Sequence, residues 1–448
     1  MWTNPPDSDV VRRLIRAFPA SLLETYAEEA GVIERQRKKD VVAFFWTLVF
    51  GFVAGEDRTV QALLDRYLAT ADEDSLAYTS FSNWFTTEFV TFLRRLLDEQ
   101  IETFEPRHEE LEGRLDRFRD VLIRDGTFVK LVESAAAVYP AFREDEAGCK
   151  VHLTESLKRG VPTSFEVTDA HTQDRSALTP GSWMKDALVL LDLGYYDFWL
   201  FFRIDANDGW FVTRVKENAN PVLVEELRTW RGNAISLEGK QLQDVLEDLH
   251  RDVIDVEAEV TFKKRAYRGS RSTATERFRL VGLWNDAEER YHLYFTNLPV
   301  EEFDASEIGL LYRARWEVEW TFKALKSWFR LDKLRVSDPV IIEALLLVAA
   351  LSMVVSRVIV DELRELEVRE MSELDAEETS VRERLPRRRG SLAVERFAGI
   401  IHLYVMAELG YCLPDLDELL RTVVREPNPH RDRLRTQVEV GGFGPALA

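Results

Sequence analysis

The segment LYRARWEVEWTFKALKSWFRLDK, from Leu311 to Lys333, is the one part of this chain whose spacing, charge and residue types need a single explanation. It contains neither Gly nor Pro and is rich in Ala, Leu, Glu, Lys and Arg, so we predict a helix. At about 100° per residue, its most informative polar side chains share an arc of about 60°: Tyr312, Arg315, Glu319 and Lys326.

This polar stripe has two interpretations. A carboxylate beside a guanidinium, an ammonium and a phenol suits a divalent metal lying next to a phosphodiester. A solvated helix face, with Arg315 and Glu319 paired four residues apart, explains the same residues about equally well. The helix alone does not decide between these two interpretations.

The spacing of the stripe, Y-x-x-R-x-x-x-E-x-x-x-x-x-x-K, resembles the signature of DDE-class insertion-sequence transposases, specifically the "insertion sequence four" family. The resemblance implies a DNA transposase that binds terminal inverted repeats and catalyses metal-dependent strand cleavage and strand transfer. It makes Glu319 the third catalytic carboxylate, and it makes three residues DNA contacts: Tyr312, Arg315 and Lys326. It also implies two aspartates upstream, each at the end of a strand.

Two upstream aspartates directly follow hydrophobic runs. Val121–Arg124 ends at Asp125, and the continuous apolar run Ala187–Leu191 ends on Asp192. Taken singly, each aspartate is more often a helix cap or a turn residue. Two carboxylates that converge at one sheet edge cost several kcal/mol unless they are paired or bound to a metal, so together they imply a cation.

The order of predicted elements favours an α/β fold with an RNase H-like catalytic core, in which helices flank a mixed sheet. Cys149–Leu153 and Thr163–Val167 are predicted strands that follow the first aspartate, and a short helix and the strand before Asp192 come next. The resemblance places Asp125, Asp192 and Glu319 at the three catalytic positions. There they would hold two Mg²⁺ ions, with Mn²⁺ as a substitute.

The interval between Asp192 and Glu319 is far longer than one helix and one strand require, and its alternating segments predict a β-rich insertion. We therefore predict the following organisation: a helical N-terminal DNA-binding region (1–118), the first part of the core (119–218), the insertion (219–303), the signature helix (304–336) and a helical C-terminal region with possible dimer contacts (337–448).

Composition complicates the DNA-binding hypothesis, because the net charge is −20 and nucleic-acid binders are usually basic. Lysine is scarce relative to arginine, and acidic residues crowd the surface-like segments, which is typical of a halophile's high-salt cytoplasm. The stretch Leu311–Arg335 departs from the mean, with seven Lys or Arg against three Asp or Glu. The predicted site is therefore locally basic.

Several other classes of protein lack support in the sequence. The two cysteines form no C-x-x-C motif, and no nucleotide-binding or nucleophile-elbow motif occurs. The apolar runs Val41–Ala54 and Ala344–Val355 are shorter than the roughly 20 residues that span a bilayer, so we expect buried helices and no membrane partner. A cytoplasmic location is the expectation.

Possible DNA contacts outside the signature helix are less specific. The cluster Arg35–Lys39 could contact phosphates, as could four basic residues of the insertion: Lys263, Lys264, Arg265 and Arg268. Relatives place a stacking Trp on the strand before the signature helix, whereas this chain has His292 and Tyr294 there and Trp284 one strand earlier. A hairpin-type intermediate is therefore in doubt.

The predicted partner is double-stranded DNA, as element ends and as target, and the resemblance implies a homodimer in the synaptic complex. Two alternatives stay open. One is a catalytically inactive or domesticated DNA-binding protein on the same fold, and the other is an RNase H-like structure-selective nuclease.

Overall fold

The structure is a computed structural model, and it describes residues 9–33, 39–54, 59–71, 75–104, 113–141, 146–228, 237–247, 249, 251–264, 272–316, 334–373 and 401–411. Several residues singled out in the sequence lie outside these ranges: Glu319, Lys326, 35–38, Arg265 and Arg268.

The N-terminal region expected to be helical contains six helices within the described residues. They are α1 (Asp9–Ala17), α2 (Ala20–Glu29), α3 (Val41–Ala54), α4 (Val60–Thr70), α5 (Tyr78–Ser82) and α6 (Thr87–Thr103). Threonine side chains cap two of them: Thr59 accepts from the Ala62 N–H of α4, and Thr86 accepts from the Phe89 N–H of α6. Such caps satisfy N–H groups that have no partner within the helix, which fixes where each helix begins.

Helix α3 lies at the centre of this region because its sequence is apolar on every face. Phe44, for example, packs against four rings with centroids 4.9 to 5.3 Å away, three of them edge-on: Phe81, Trp84, Phe85 and Phe89. Aromatic pairs in these geometries contribute about 0.5–1.5 kcal/mol each beyond the area they bury. Through this cluster, α3 packs against α5, α6 and the loop between them.

A second long apolar helix, α10 (Pro339–Glu373), packs on α1, α3 and α6 and on the edge strand of the sheet. Its residues 339–362 are long and apolar enough to cross a membrane by length and composition alone, with a mean hydropathy of 2.3. The apolar run Ala344–Val355 is only the central part of this longer helix. Its most apolar stretch is 72% buried inside the protein, and core helices of soluble proteins pass the same length test.

The described residues contain nine strands: β1 (Asp120–Leu131), β2 (Ala147–Ser156), β3 (Val161–Asp169), β4 (Ala187–Leu191), β5 (Trp210–Arg214), β6 (Val222–Glu226), β7 (Val253–Lys263), β8 (Thr273–Asn285) and β9 (Arg290–Thr296). They form a single mixed sheet in the order β3-β2-β1-β4-β5-β9-β8-β7-β6. Two short helices interrupt them, α7 (Phe198–Asp205) and α8 (Leu242–Leu246). The predicted mixed sheet with flanking helices is confirmed.

The centre of the sheet is parallel. β4 runs parallel to β1 on one side and to β5 on the other, and all five of its residues are buried. The last paired residues are Arg124 with Leu191, and Leu191 with Thr213. The carboxyl ends of β4 and β5 therefore meet at one edge, and the pairing of β1 with β4 stops there as well.

The prediction that Asp125 ends its strand is wrong in detail. β1 continues through Asp125 to Leu131, because β2 pairs with it along that whole length. Only its pairing with β4 stops, after Arg124. Asp125 is thus the first residue of β1 beyond β4, which keeps it at the predicted edge.

Residues 219–303, predicted as a β-rich insertion, hold β6 to β9 and α8 within their described part. These strands extend the sheet itself, because β9 pairs antiparallel with β5 from Val212 to Arg214. β8 then packs against α9 (Ala305–Arg313), the helix that leads into the signature segment. The insertion strands therefore support that helix directly.

The described part of the helix predicted from Leu311 to Lys333 contains a turn at residues 314–315. A capping box formed by Asp304 and Glu307 starts α9, which ends at Arg313. The Arg315 N–H then bonds to the Tyr312 carbonyl, an i to i+3 bond that tightens the last turn. The rest of the predicted helix, 317–333, lies outside the described residues.

Candidate active site

Asp125 and Asp192, predicted independently from two strands, lie on either side of one guanidinium. Arg315 Nη1 lies 3.3 Å from Asp125 Oδ2, and its Nε lies 3.8 Å from Asp192 Oδ1. The side chains are 17% exposed for Asp125, 38% for Asp192 and 8% for Arg315. Four of the predicted site residues lie within the described part of the chain. Three of them meet at the sheet edge, and the fourth, Tyr312, packs against Arg315.

The register explains why the two carboxylates meet. Arg124 pairs with Leu191, so each aspartate is the next residue on its parallel strand. Like charges at that spacing repel, and the Arg315 guanidinium offsets the repulsion at short range.

This donor set fits a hard divalent cation. Carboxylate oxygens are the ligands that Mg²⁺ and Mn²⁺ prefer, and both carboxylates lie within 4 Å of the same Arg315 guanidinium. Among the described residues, no three His, Cys, Asp or Glu side chains form a ligand group. The predicted third carboxylate, Glu319, lies outside that part of the chain.

Tyr312 is buried rather than open to solvent. Its ring packs against Tyr294 with centroids 5.3 Å apart, and the Arg315 guanidinium carbon lies 5.6 Å from its centre. Burial raises the pKa of Tyr312 to about 12, so the phenol remains a neutral hydrogen-bond donor near pH 7. In this structure Tyr312 therefore supports Arg315 by packing.

Arg214 is a site residue that the sequence analysis missed. It ends β5 directly after Thr213, which pairs with Leu191, so Arg214 stands beside Asp192 in register. Only the parallel register reveals that these two residues are neighbours.

Arg124 anchors the strand just before Asp125. Its side chain is 1% exposed and donates to Thr154 Oγ1, Ser164 Oγ, Glu166 Oε2 and the Ala177 carbonyl. Successive residues of a strand point to opposite faces, so this anchor fixes the orientation of the next side chain, that of Asp125.

Only some of the basic residues predicted as additional phosphate contacts lie within the described part of the chain. Lys39 packs over the Phe44 and Phe89 rings and donates to the Trp84 carbonyl, and burial lowers its pKa to about 7. Lys39 is therefore a packing residue. Lys264 lies 5.2 Å from the Phe202 ring.

The mixed α/β fold brings two carboxylates to one edge of the parallel strands, and carboxylates are the ligand type that hard divalent cations take in phosphodiester chemistry. Comparison with known families makes this specific. The chain matches the transposase DDE domain family over residues 116–355, which is more than half of its length. The protein belongs to this family.

Individual relatives agree with this assignment. The transposase of insertion sequence element IS231F from Bacillus thuringiensis subsp. israelensis is 22% identical over 254 residues, covering 49% of this chain and 52% of that protein. That of IS231B from Bacillus thuringiensis subsp. berliner is 21% identical over 364 residues, covering 71% and 72%. The chain spans about half the length of the first curated relatives it matches. The predicted transposase DDE domain is confirmed.

Among solved structures, the cryo-EM structure of the piggyBac transposase synaptic complex with hairpin DNA aligns over 95% of this chain and 87% of that one. The sequence identity is 10% and the TM-score is 0.44. A likeness of this degree carries no argument about the site.

Proposed function

We propose that this protein binds the terminal inverted repeats of an insertion sequence and catalyses metal-dependent strand cleavage and strand transfer. We further propose that it belongs to the insertion-sequence-four family and acts in the cytoplasm with an RNase H-like core. The observation that carries the proposal is the convergence of Asp125 and Asp192 on Arg315 at the carboxyl ends of adjacent parallel strands.

In this mechanism Asp125 and Asp192, together with Glu319, would hold two Mg²⁺ ions, with Mn²⁺ as a substitute. The chemistry that the ions supply when bound is activation of a water for cleavage and then of the freed 3′-hydroxyl for strand transfer. The chain itself holds the carboxylates at fixed separation through the β1–β4 register. Arg315 is placed to receive a phosphate oxygen beside the carboxylates.

The wider DNA contacts follow from local charge. Arg315, Lys326 and Tyr312 would position the scissile and neighbouring phosphates, and Arg214 adds a cation beside Asp192. Because strand transfer must act on two element ends, we propose a homodimer on DNA, without a membrane partner.

The test uses the full chain and a DNA fragment that carries the inverted repeats found beside the gene. With Mg²⁺ or Mn²⁺ we expect nicks at the repeat boundary that leave a 3′-hydroxyl, and none in EDTA. Repeat binding without any nicking would favour the inactive DNA-binding protein. Cleavage that ignores the repeat sequence would favour the structure-selective nuclease.

Removing single cations should reveal the phosphate contacts. Arg315→Ala and Lys326→Ala should each weaken repeat binding and flatten its salt dependence by about one unit of slope. Fluorescence anisotropy across a KCl series measures this. Arg94→Ala is the control, since Arg94 is exposed and already paired with Glu343. An unchanged slope in both variants would assign the stripe to a solvated face.

Salt should also control folding if the acidic surface is a halophilic adaptation. Self-repulsion at a net charge of −20 is weakly screened in dilute buffer, where the Debye length is about 10 Å at 0.1 M against about 3 Å at 1 M. We expect the circular dichroism signal and the thermal midpoint to rise between 0.1 and 2 M KCl. Equal midpoints at both concentrations would contradict the halophile proposal.

A further inference from the structure

A third carboxylate, Asp174, lies where β1 and β4 stop pairing. It belongs to the segment after β3 and begins a short 3-10 turn, Asp174–Ser176. Lys150 Nζ lies 3.2 Å from its Oδ1 and also donates to the Thr172 carbonyl at 2.9 Å. The Asp174 side chain is 29% exposed, so a lysine from β2 fixes it at the edge of the site.

Two glycines beside the catalytic aspartates make room for this carboxylate. A Cβ at Gly126, directly after Asp125, would lie 3.0 Å from Asp174 Oδ1. A Cβ at Gly194, two residues after Asp192, would lie 2.7 Å from Oδ2. Oδ1 of Asp174 therefore lies close to the backbone at Gly126, and Oδ2 lies close to the backbone at Gly194. A larger residue at position 194 must displace the Asp174 carboxylate.

His152, a residue of β2, also lies beside Asp174. Its Nδ1 lies 3.8 Å from Asp174 Oδ1, and its Nε2 lies 2.9 Å from Thr168 Oγ1. Burial, followed by the charge of Arg124, lowers the pKa of His152 to about 4, so the ring is neutral near pH 7. A neutral, fully buried ring and a lysine thus fix the position of Asp174.

We propose that Asp174 is a positioning residue of the metal site, whose carboxylate braces the backbones at Gly126 and Gly194 and so sets the separation of Asp125 and Asp192. The inference rests on the proposed function, because it assumes that these two aspartates bind the cation. Groups that orient metal ligands typically change metal affinity by about 10- to 100-fold when they are removed. A positioning role predicts an effect in that range.

Gly194→Ala, Asp174→Ala and their double variant form a double-mutant cycle that tests the contact between residues 174 and 194. The three heavy atoms nearest to the new Cβ at position 194 all belong to Asp174, and in the double variant the Cβ of residue 174 remains at 3.5 Å. We expect each single variant to raise the Mn²⁺ dissociation constant of the DNA-free full chain by about 10- to 100-fold, measured by isothermal titration calorimetry. The double variant should bind Mn²⁺ no more weakly than Asp174→Ala alone.

Glu146→Gln is the matched control, because it removes the acidic partner of an exposed lysine, Lys130, at the far end of the same strand pair. It should leave the Mn²⁺ dissociation constant within about twofold. Asp174→Asn keeps the side-chain shape and should lose less affinity than Asp174→Ala. Melting temperatures in EDTA show that each variant is folded.

Unchanged Mn²⁺ binding in Gly194→Ala and Asp174→Ala would overturn the inference. So would a loss in Asp174→Ala as complete as that in Asp125→Asn, since Asp174 would then be a ligand. If the unaltered chain fails to nick repeat DNA, the proposed function fails instead. The two failures are therefore distinguishable.

Discussion

Glu319→Gln is expected to lower Mg²⁺-dependent nicking of terminal-repeat DNA by orders of magnitude while repeat binding survives. The substitution keeps side-chain size and helix propensity but removes the negative charge that a hard cation requires. Arg315 remains beside Asp125 and Asp192, where it would contact the DNA backbone. Gel analysis of nicked ends, with anisotropy in Ca²⁺ for binding, separates the two effects.

Asp125→Asn and Asp192→Asn should behave in the same way. Double substitutions should cost little more than single ones, because residues that hold one metal centre act as a unit. Substantial cleavage at the correct end by Glu319→Gln would remove Glu319 from the site. Additive losses in the double variants would show that the carboxylates act separately.

The positions of Asp125 and Asp192 could be predicted from sequence because each follows a run that only a buried strand explains. Ala187–Leu191 in particular is apolar throughout, as expected for a parallel strand covered on both faces. In the structure the two strands are parallel neighbours in the register that pairs Arg124 with Leu191, which places the next residues, Asp125 and Asp192, side by side. Here local pattern and global topology point to the same place.

The neighbours of the aspartates could not be predicted in the same way. Arg214 and Asp174 reach the site through strand register and a loop, and neither relation has a fixed sequence spacing. Tertiary packing determines these features, so the periodicity of the sequence does not predict them.

The sequence likewise did not predict that strands β6 to β9 join the same sheet as β1 to β5. This joining affects the stability of the protein. A buried ion pair links β7 and β8: the Arg279 guanidinium donates to Asp255 through Nε at 2.8 Å and Nη2 at 2.7 Å. Arg279 Nη1 also donates to the carbonyls of Leu298 and Phe303, in the segment that leads into α9. Arg279 therefore connects the insertion strands to the helix that ends beside Arg315.

Arg279→Met is accordingly expected to destabilise the protein by about 3–5 kcal/mol, because it leaves the fully buried Asp255 carboxylate without its bidentate partner. The nearest remaining cation, Arg228, is half exposed and 3.9 Å away, too far to replace two hydrogen bonds. Chemical denaturation at the protein's optimal salt concentration measures the loss.

A matched control lies two residues away on the same strand, where Arg277 is 54% exposed and 3.7 to 3.9 Å from Glu257 and Glu259. Arg277→Met should cost less than about 1 kcal/mol. Adding Asp255→Leu to Arg279→Met should restore most of the lost stability, since no unpaired charge is then buried. Nicking should recover less fully, because the hydrogen bonds to Leu298 and Phe303 that hold the start of α9 remain absent. Equal losses for Arg279→Met and Arg277→Met would show that the ion pair does not brace the sheet.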